Sequence, residues 1–350
     1  MIAVIARRLG GSRDQAFFVA LLATGSAALL YMARHLTSYD LALMFGLIGV
    51  CVAVRRPSTS MSSVLTGIWA VAAFLAYAGA WSLAAAACAI HVLDAISLRD
   101  GIRRATLMAL GMTTVVTAMI IGYRWAGISW VDSLRAFAGT ITQGDFSEGW
   151  WLPFAYLWQA EHLLLIGWAI ALAWCLWRFR EAIHARLTRA GLVGVVCVYA
   201  SLAVSSTILH RFVVYGRLSR PLVPFLCLIG GAVIAPWLAR WPRVRLATAI
   251  VVLGVAAEAA INFRVPLGQE FPTEFIARIE RRYPKPRVFI NARHLFPGPE
   301  PMDVPDGYRE VASAPHPLEF LPYQYEGYAD SERRLLRSSD IRMRAFVPSR

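Results

Sequence analysis

Ser38-Tyr39-Asp40-Leu41-Ala42-Leu43-Met44-Phe45-Gly46-Leu47-Ile48-Gly49-Val50-Cys51-Val52-Ala53-Val54 carries one acid at its start and ends against Arg55-Arg56. A helix rises ~1.5 Å per residue and the hydrocarbon layer of a bilayer is ~30 Å thick, so roughly 20 apolar residues cross it. Eight further runs of this kind lie at 15–33, 63–79, 81–97, 105–122, 154–177, 190–208, 221–239 and 245–261. The chain is 57% hydrophobic, where soluble domains sit near ~45–50%. The fold expected is an all-α polytopic membrane protein of about nine transmembrane helices over residues 1–261. A small extracytoplasmic α+β segment follows at 262–350.

The run 63–97 is too long for one crossing and reads as a hairpin, with Gly79 at the turn and Trp81 as an interface anchor. Arginines then orient the chain. Fifteen fall in one set of connections: at 7, 8 and 13, at 55 and 56, at 99, 103 and 104, at 178, 180, 186 and 189, and at 240, 243 and 245. Six fall in the opposite set, at 34, 124, 135, 211, 217 and 220. Basic residues stay cytoplasmic, so the amino terminus is expected inside and 262–350 outside. The net charge of +13 is then mostly arginine beside anionic lipid head groups, and no nucleic-acid partner is expected.

All five cysteines lie within apolar runs, so neither a disulfide framework nor a CxxC metal site is expected. Met1–Ala6 is too short for the apolar core of a signal peptide, and the first span is expected to serve for insertion. In the tail, a helix is expected at Phe275–Arg282, a strand at Arg287–Asn291, ordered loop over 296–324 and a helix at Ser331–Arg337.

Three groups gather on the expected outer side. The first is the turn with Arg34, His35, Tyr39 and Asp40, where the acid stands at a helix start favoured by the dipole. Its bland reading is a first-turn acid; its functional reading is a carboxylate facing a cavity. The second is the loop 123–153, with Asp132, Asp145 and Glu148, an amphipathic stretch at Val131–Ala138, and the Glu161-His162 pair inside the next run. Glu161 needs a partner at that depth, in a structural or a catalytic role. The third runs from His210 to Pro221 and holds Arg211, Tyr215, Arg217 and Arg220. Arginines here run against the charge rule, and an anionic ligand such as a lipid-linked phosphate accounts for them, as does contact with ordinary head groups. His91 with Asp94, and Glu258 separately, read as internal polar contacts.

Together these groups resemble the GT-C superfamily of polyprenyl-phosphate-sugar glycosyltransferases, nearest to protein O-mannosyltransferases and lipid A aminoarabinose transferases. Ala6-Arg7-Arg8-Leu9-Gly10-Gly11-Ser12-Arg13 resembles a cytoplasmic turn of the family, and Tyr31-Met32-Ala33-Arg34 with Ser38–Phe45 resembles its outer turn. Tyr215-Gly216-Arg217-Leu218 with Pro221 and Pro224 resembles its late GRY…P…P segment. The resemblance implies sugar transfer from a polyprenyl-phosphate carrier to an extracytoplasmic glycan, lipid or protein acceptor, in a bacterial inner (plasma) membrane. It implies Asp40 and Glu161 near the acceptor or a divalent metal. Arg211, Tyr215, Arg217 and Arg220 would lie on the lipid phosphate, with Arg34, His35, Tyr39 and His162 about the substrate. The family's first span and first outer loop, which bears the catalytic acid, would precede Met1. The expectation is therefore a truncated transferase, a base supplied from elsewhere, or a non-catalytic protein of envelope glycan assembly. A polysaccharide polymerase or ligase uses similar outer arginines.

Overall fold

The structure, a computed structural model, describes residues 1–29, 38–132, 135, 150–209, 216–241, 243–267, 272–283, 289–291, 304, 306–315 and 342–349. The chain opens with α1 (Ile2–Arg8) and α2 (Arg13–Gly25). Ser12 and Gln15 form a capping box at the start of α2, each side chain accepting the other's backbone amide. The backbone leaves the helix at Ser26 (ψ 119°) and is helical again over 27–29.

Next come α3 (Ser38–Ala53), α4 (Ser60–Ala76), a 3-10 turn at Ala78–Ala80 and α5 (Trp81–Leu93), which pack on one another. The expected hairpin is present. Gly79 is required there by close approach, since a Cβ would fall 2.2 Å from the Tyr77 ring. The next helix, α6 (Leu98–Trp125), lies mainly on α4. Its seam is made by glycines: a Cβ on Gly67 would meet the Met108 carbonyl at 2.1 Å, and one on Gly111 the Val64 carbonyl at 2.3 Å. Small residues at facing positions let two backbones approach this closely.

After α7 (Leu152–Trp177) and the short α8 (Phe179–His184), α9 (Arg186–Ala203) continues into a π turn at Val204–Ile208. A 3-10 turn at Gly216–Ser219 leads into α10 (Leu222–Leu238), and α11 (Val244–Leu267) follows. The central element is α10: it packs on α2, α7 and α9, and every residue from Leu222 to Ala232 is buried. Pro236 lies inside it and has no N–H for the Ala232 carbonyl. Gln15 Nε2 donates to that oxygen at 3.2 Å, so the capping residue of α2 also mends the break in α10.

Two helices, α6 and the continuous Arg186–Ile208, are long and apolar enough to cross a membrane. Six other apolar helical segments have 10–17 residues. Two of the nine expected spans are therefore shown by length and composition among the described residues. Helices α7 and α11 run 26 and 24 residues, and the backbone breaks inside two of the apolar runs, at Ser26 in the first and at Tyr77 (φ −157°, ψ 120°) in the third.

The tail forms a three-stranded antiparallel sheet, β1 (Phe289–Asn291), β2 (Tyr308–Pro315) and β3 (Arg342–Pro348), in the order β1-β3-β2. Helix α12 (Pro272–Arg282) packs Phe275 and Ile279 against Met343 and Ala345. The expected helix and first strand are present, but 296–324 is not all loop, because it holds β2. Ser331–Arg337 lies outside the described residues.

One acid gathers the arginine-rich ends of the helices. Asp94, which follows α5, bonds Arg186 (2.5 and 2.9 Å), Arg189 (2.9 Å) and Arg56 (3.3 Å). Burial pushes its carboxyl up most strongly, but hydrogen bonds and charge from Arg186 and Arg56 outweigh this and hold it below the usual aspartate range. His91, fully buried, donates from Nδ1 to the Ala53 carbonyl (2.8 Å) and shares a bond with the Ser63 hydroxyl (2.8 Å). Both residues make the internal contacts expected of them.

Candidate functional site

The site lies at the opposite ends of these helices. Asp40 stands in the first turn of α3, thirteen residues from Ala53, or ~20 Å along the axis. Ser26 stands thirteen residues beyond Arg13, at a similar height on α2. Arg220 sits between the 3-10 turn and the start of α10.

Arg220 and Asp40, 180 residues apart, form an ion pair at 2.5 Å between Nη2 and Oδ1. The arginine is 4% exposed. The same Nη2 donates to the Leu29 carbonyl at 3.4 Å. Arg220 Nε and Nη1 and the Ser219 hydroxyl are buried without a hydrogen-bond partner among the described residues. Buried polar groups are nearly always bonded, and an orphaned cluster calls for a reason. Arg220 lines a small cavity of about 20 Å³, room for one water-sized group. Tyr39 and Tyr77, with ring centroids 4.1 Å apart, form another part of its wall, with Gly79 and Leu218.

Glu161, on α7, is fully buried. Its carboxylate accepts from the Ser26 hydroxyl (2.6 Å), the Ala28 amide (2.9 Å) and the Ala27 amide (3.1 Å). It thus satisfies the N–H groups freed where α2 breaks, and the dipole of the restarted turn favours the negative charge. The 26–29 turn therefore links Glu161 through its amides to Arg220 through its last carbonyl, and Arg220 to Asp40.

Three sequence candidates, Asp40, Glu161 and Arg220, are joined in one network, and Tyr39 lines the adjoining cavity. The backbone of Arg217 lies in the 3-10 turn three residues before Arg220, and its side chain is outside the described residues, as is that of His162 on α7. Arg34, His35, Arg211 and Tyr215 lie outside the described residues, as do Asp145, Glu148 and most of Val131–Ala138. Asp132 is exposed and faces Arg135 at 3.6 Å. Among the described residues no group of three or more His, Cys, Asp or Glu side chains gathers to hold a metal. Ser26, Tyr77 and Ser219 belong to the site and were not singled out by sequence. Only the Gly25-Ser26 pair, a frequent point of kinking, carried a signal.

No known protein family, curated protein or solved structure gives a match to this chain.

Proposed function

We propose that the chain crosses a membrane about nine times, with its amino terminus in the cytoplasm. On this reading it binds a polyprenyl-phosphate-linked sugar at the outer ends of its helices, as a glycosyltransferase of the GT-C kind. The observation that carries the reading is Arg220: a buried guanidinium, anchored by Asp40, with two N–H donors turned to no protein acceptor among the described residues. Phosphate oxygens satisfy such donors well, in charge-assisted bonds of fixed geometry. Membrane placement is supported by the arginine asymmetry and by the apolar residues that the helices turn outward. These include Leu110 and Ile121 on α6, Leu163, Ile166 and Ile170 on α7, and Val196 on α9.

In the reaction, an acceptor hydroxyl gives its proton to a base and its oxygen attacks the anomeric carbon. The bond from that carbon to the phosphate oxygen breaks, and the phosphate leaves with the electron pair. Arg220, with Arg217 and Arg211, would stabilise that charge where it develops. Asp40 orients Arg220, and Glu161 fixes the turn behind it. With Glu161 holding three bonds and Asp40 engaged by Arg220, neither is posed as the base. This favours a second reading, a non-catalytic lipid-phosphate-binding protein of envelope glycan assembly.

The test is the full chain in lipid vesicles, titrated with polyprenyl phosphate and with the matching polyprenol, then supplied with polyprenyl-phosphate sugar and a membrane acceptor fraction. Preference for the phosphate that is lost in Arg220→Gln supports the binding site, and sugar transfer decides for the enzyme. Equal binding of phosphate and alcohol sinks both readings.

A further inference from the structure

A second cavity, of about 390 Å³, runs between α7 and α10, away from the Asp40–Arg220 site. Its size is that of a small-ligand site. Gly167, Ile170 and Trp174 line it from α7, Pro236 and Trp237 from α10, and Arg240 stands at its end, two residues past the helix. Gly167 has no packing reason to be glycine: a Cβ there would meet nothing within 4 Å. Gly230 and Gly231, on α10, are by contrast hemmed in by Leu22 and Val19.

The length of the groove is informative. Its lining runs from Gly167 to Trp174 on α7 and from Ala232 to Arg240 on α10, ~10–12 Å along the axes. Gly167 lies ten residues, or ~15 Å, from the end of α7 at Trp177, about half of the ~30 Å hydrocarbon layer. The groove thus lies within the depth of a single leaflet, towards one interface. The interface is the arginine-rich one, because Arg240 follows the same end of α10. Trp237 and Trp241 meet there edge to face at 5.0 Å, as aromatic rings gather at head-group level. Arg240 is exposed and has no ion pair among the described residues, so a positive charge waits at the mouth of an apolar slot.

We infer that this groove holds one acyl chain of an anionic phospholipid of the cytoplasmic leaflet, with the lipid phosphate on Arg240. The inference rests on the membrane-spanning reading above and is independent of the sugar-transfer site. The occupant follows from the match of apolar wall, placement within one leaflet and terminal cation. A second copy of the chain would have no use for an unpaired arginine beside an apolar slot.

The test is native mass spectrometry of the full chain titrated with phosphatidylglycerol and, separately, phosphatidylcholine. Carbonate extraction of membranes checks the spanning reading first and on its own. One phosphatidylglycerol is expected to be retained, at least about fivefold more tightly than phosphatidylcholine, given the energy of one arginine at a charged surface. Gly167→Trp sets its Cβ in open space, lays its ring across the groove, and is expected to abolish retention at an unchanged melting temperature. Arg240→Gln is expected to remove the head-group preference, and Arg240→Lys to keep it. Equal retention of the two lipids, retention that survives Gly167→Trp, or a paired chain that Gly167→Trp disrupts would each overturn the inference.

Discussion

Glu161 and Arg220 hold opposite ends of one short turn: the carboxylate takes the amides of Ala27 and Ala28, and the guanidinium donates to the carbonyl of Leu29. The position of the cation therefore depends on an acid one helix away, and the two are expected to respond together.

Asp40→Ala takes the carboxylate from a buried guanidinium, and a loss of about 3–5 kcal/mol is expected because Arg220 keeps its desolvation penalty. Arg220→Met removes one charge-assisted bond from the partly buried Asp40, and a loss of about 1.5–3 kcal/mol is expected. The double variant is expected to lose much less than the sum. A double-mutant cycle on thermal unfolding in detergent checks this, and additive losses would remove the pair from the account.

Glu161→Gln keeps the shape but turns one acceptor atom into a donor facing the amides of the turn. A loss of about 1–3 kcal/mol is expected for the unsatisfied groups. Polyprenyl-phosphate affinity is expected to fall with it, although Glu161 is on another helix from Arg220. An affinity that holds while stability drops would show that the turn does not position the arginine.

Gln15 and Pro236 make a sharper pair. Gln15→Leu orphans the Ala232 carbonyl and removes half of the capping box, with about 1–2 kcal/mol expected. Pro236→Ala supplies the missing N–H and is expected to recover the part due to the carbonyl. If Pro236→Ala gives the same gain with Gln15 present, the bond across the helices contributes little.

The Asp94 hub sets a pH dependence. Its carboxyl lies lower in the folded chain than in the unfolded one, so its contribution is complete above the ordinary aspartate range and is lost as pH falls through and below about 4. Asp94→Asn is expected to lower the melting temperature at pH 7 and to flatten its decline towards pH 3. A slope equal to that of the unaltered chain would mean that other acids govern the decline.

Hydropathy made the helices legible, and charge and dipole reasoning marked Asp40 and Arg220 before any contact was known. What it could not show was which side chains complete a broken backbone. Ser26 sits in an apolar run and looks like any small residue, and the need for Glu161 arises only when α7 comes alongside. The strands β2 and β3 were missed for a different reason. Arg342-Met343-Arg344-Ala345 does alternate, but Phe346 and Val347 end the pattern after four residues, and β2 mixes Arg309, Glu310 and Ser313 with two alanines and a proline, so neither looks like a strand until they pair.

The 180 residues between Asp40 and Arg220 also govern how the molecule is made. At a synthesis rate of about 5–20 residues per second, the acid emerges roughly ten to thirty seconds before its cation. Glu161, by contrast, arrives to find Ser26 already present. A chain halted before codon 220 holds Asp40 without this cation, and closing the pair draws the start of α10 onto α3 before the rest of α10 and α11 has been made.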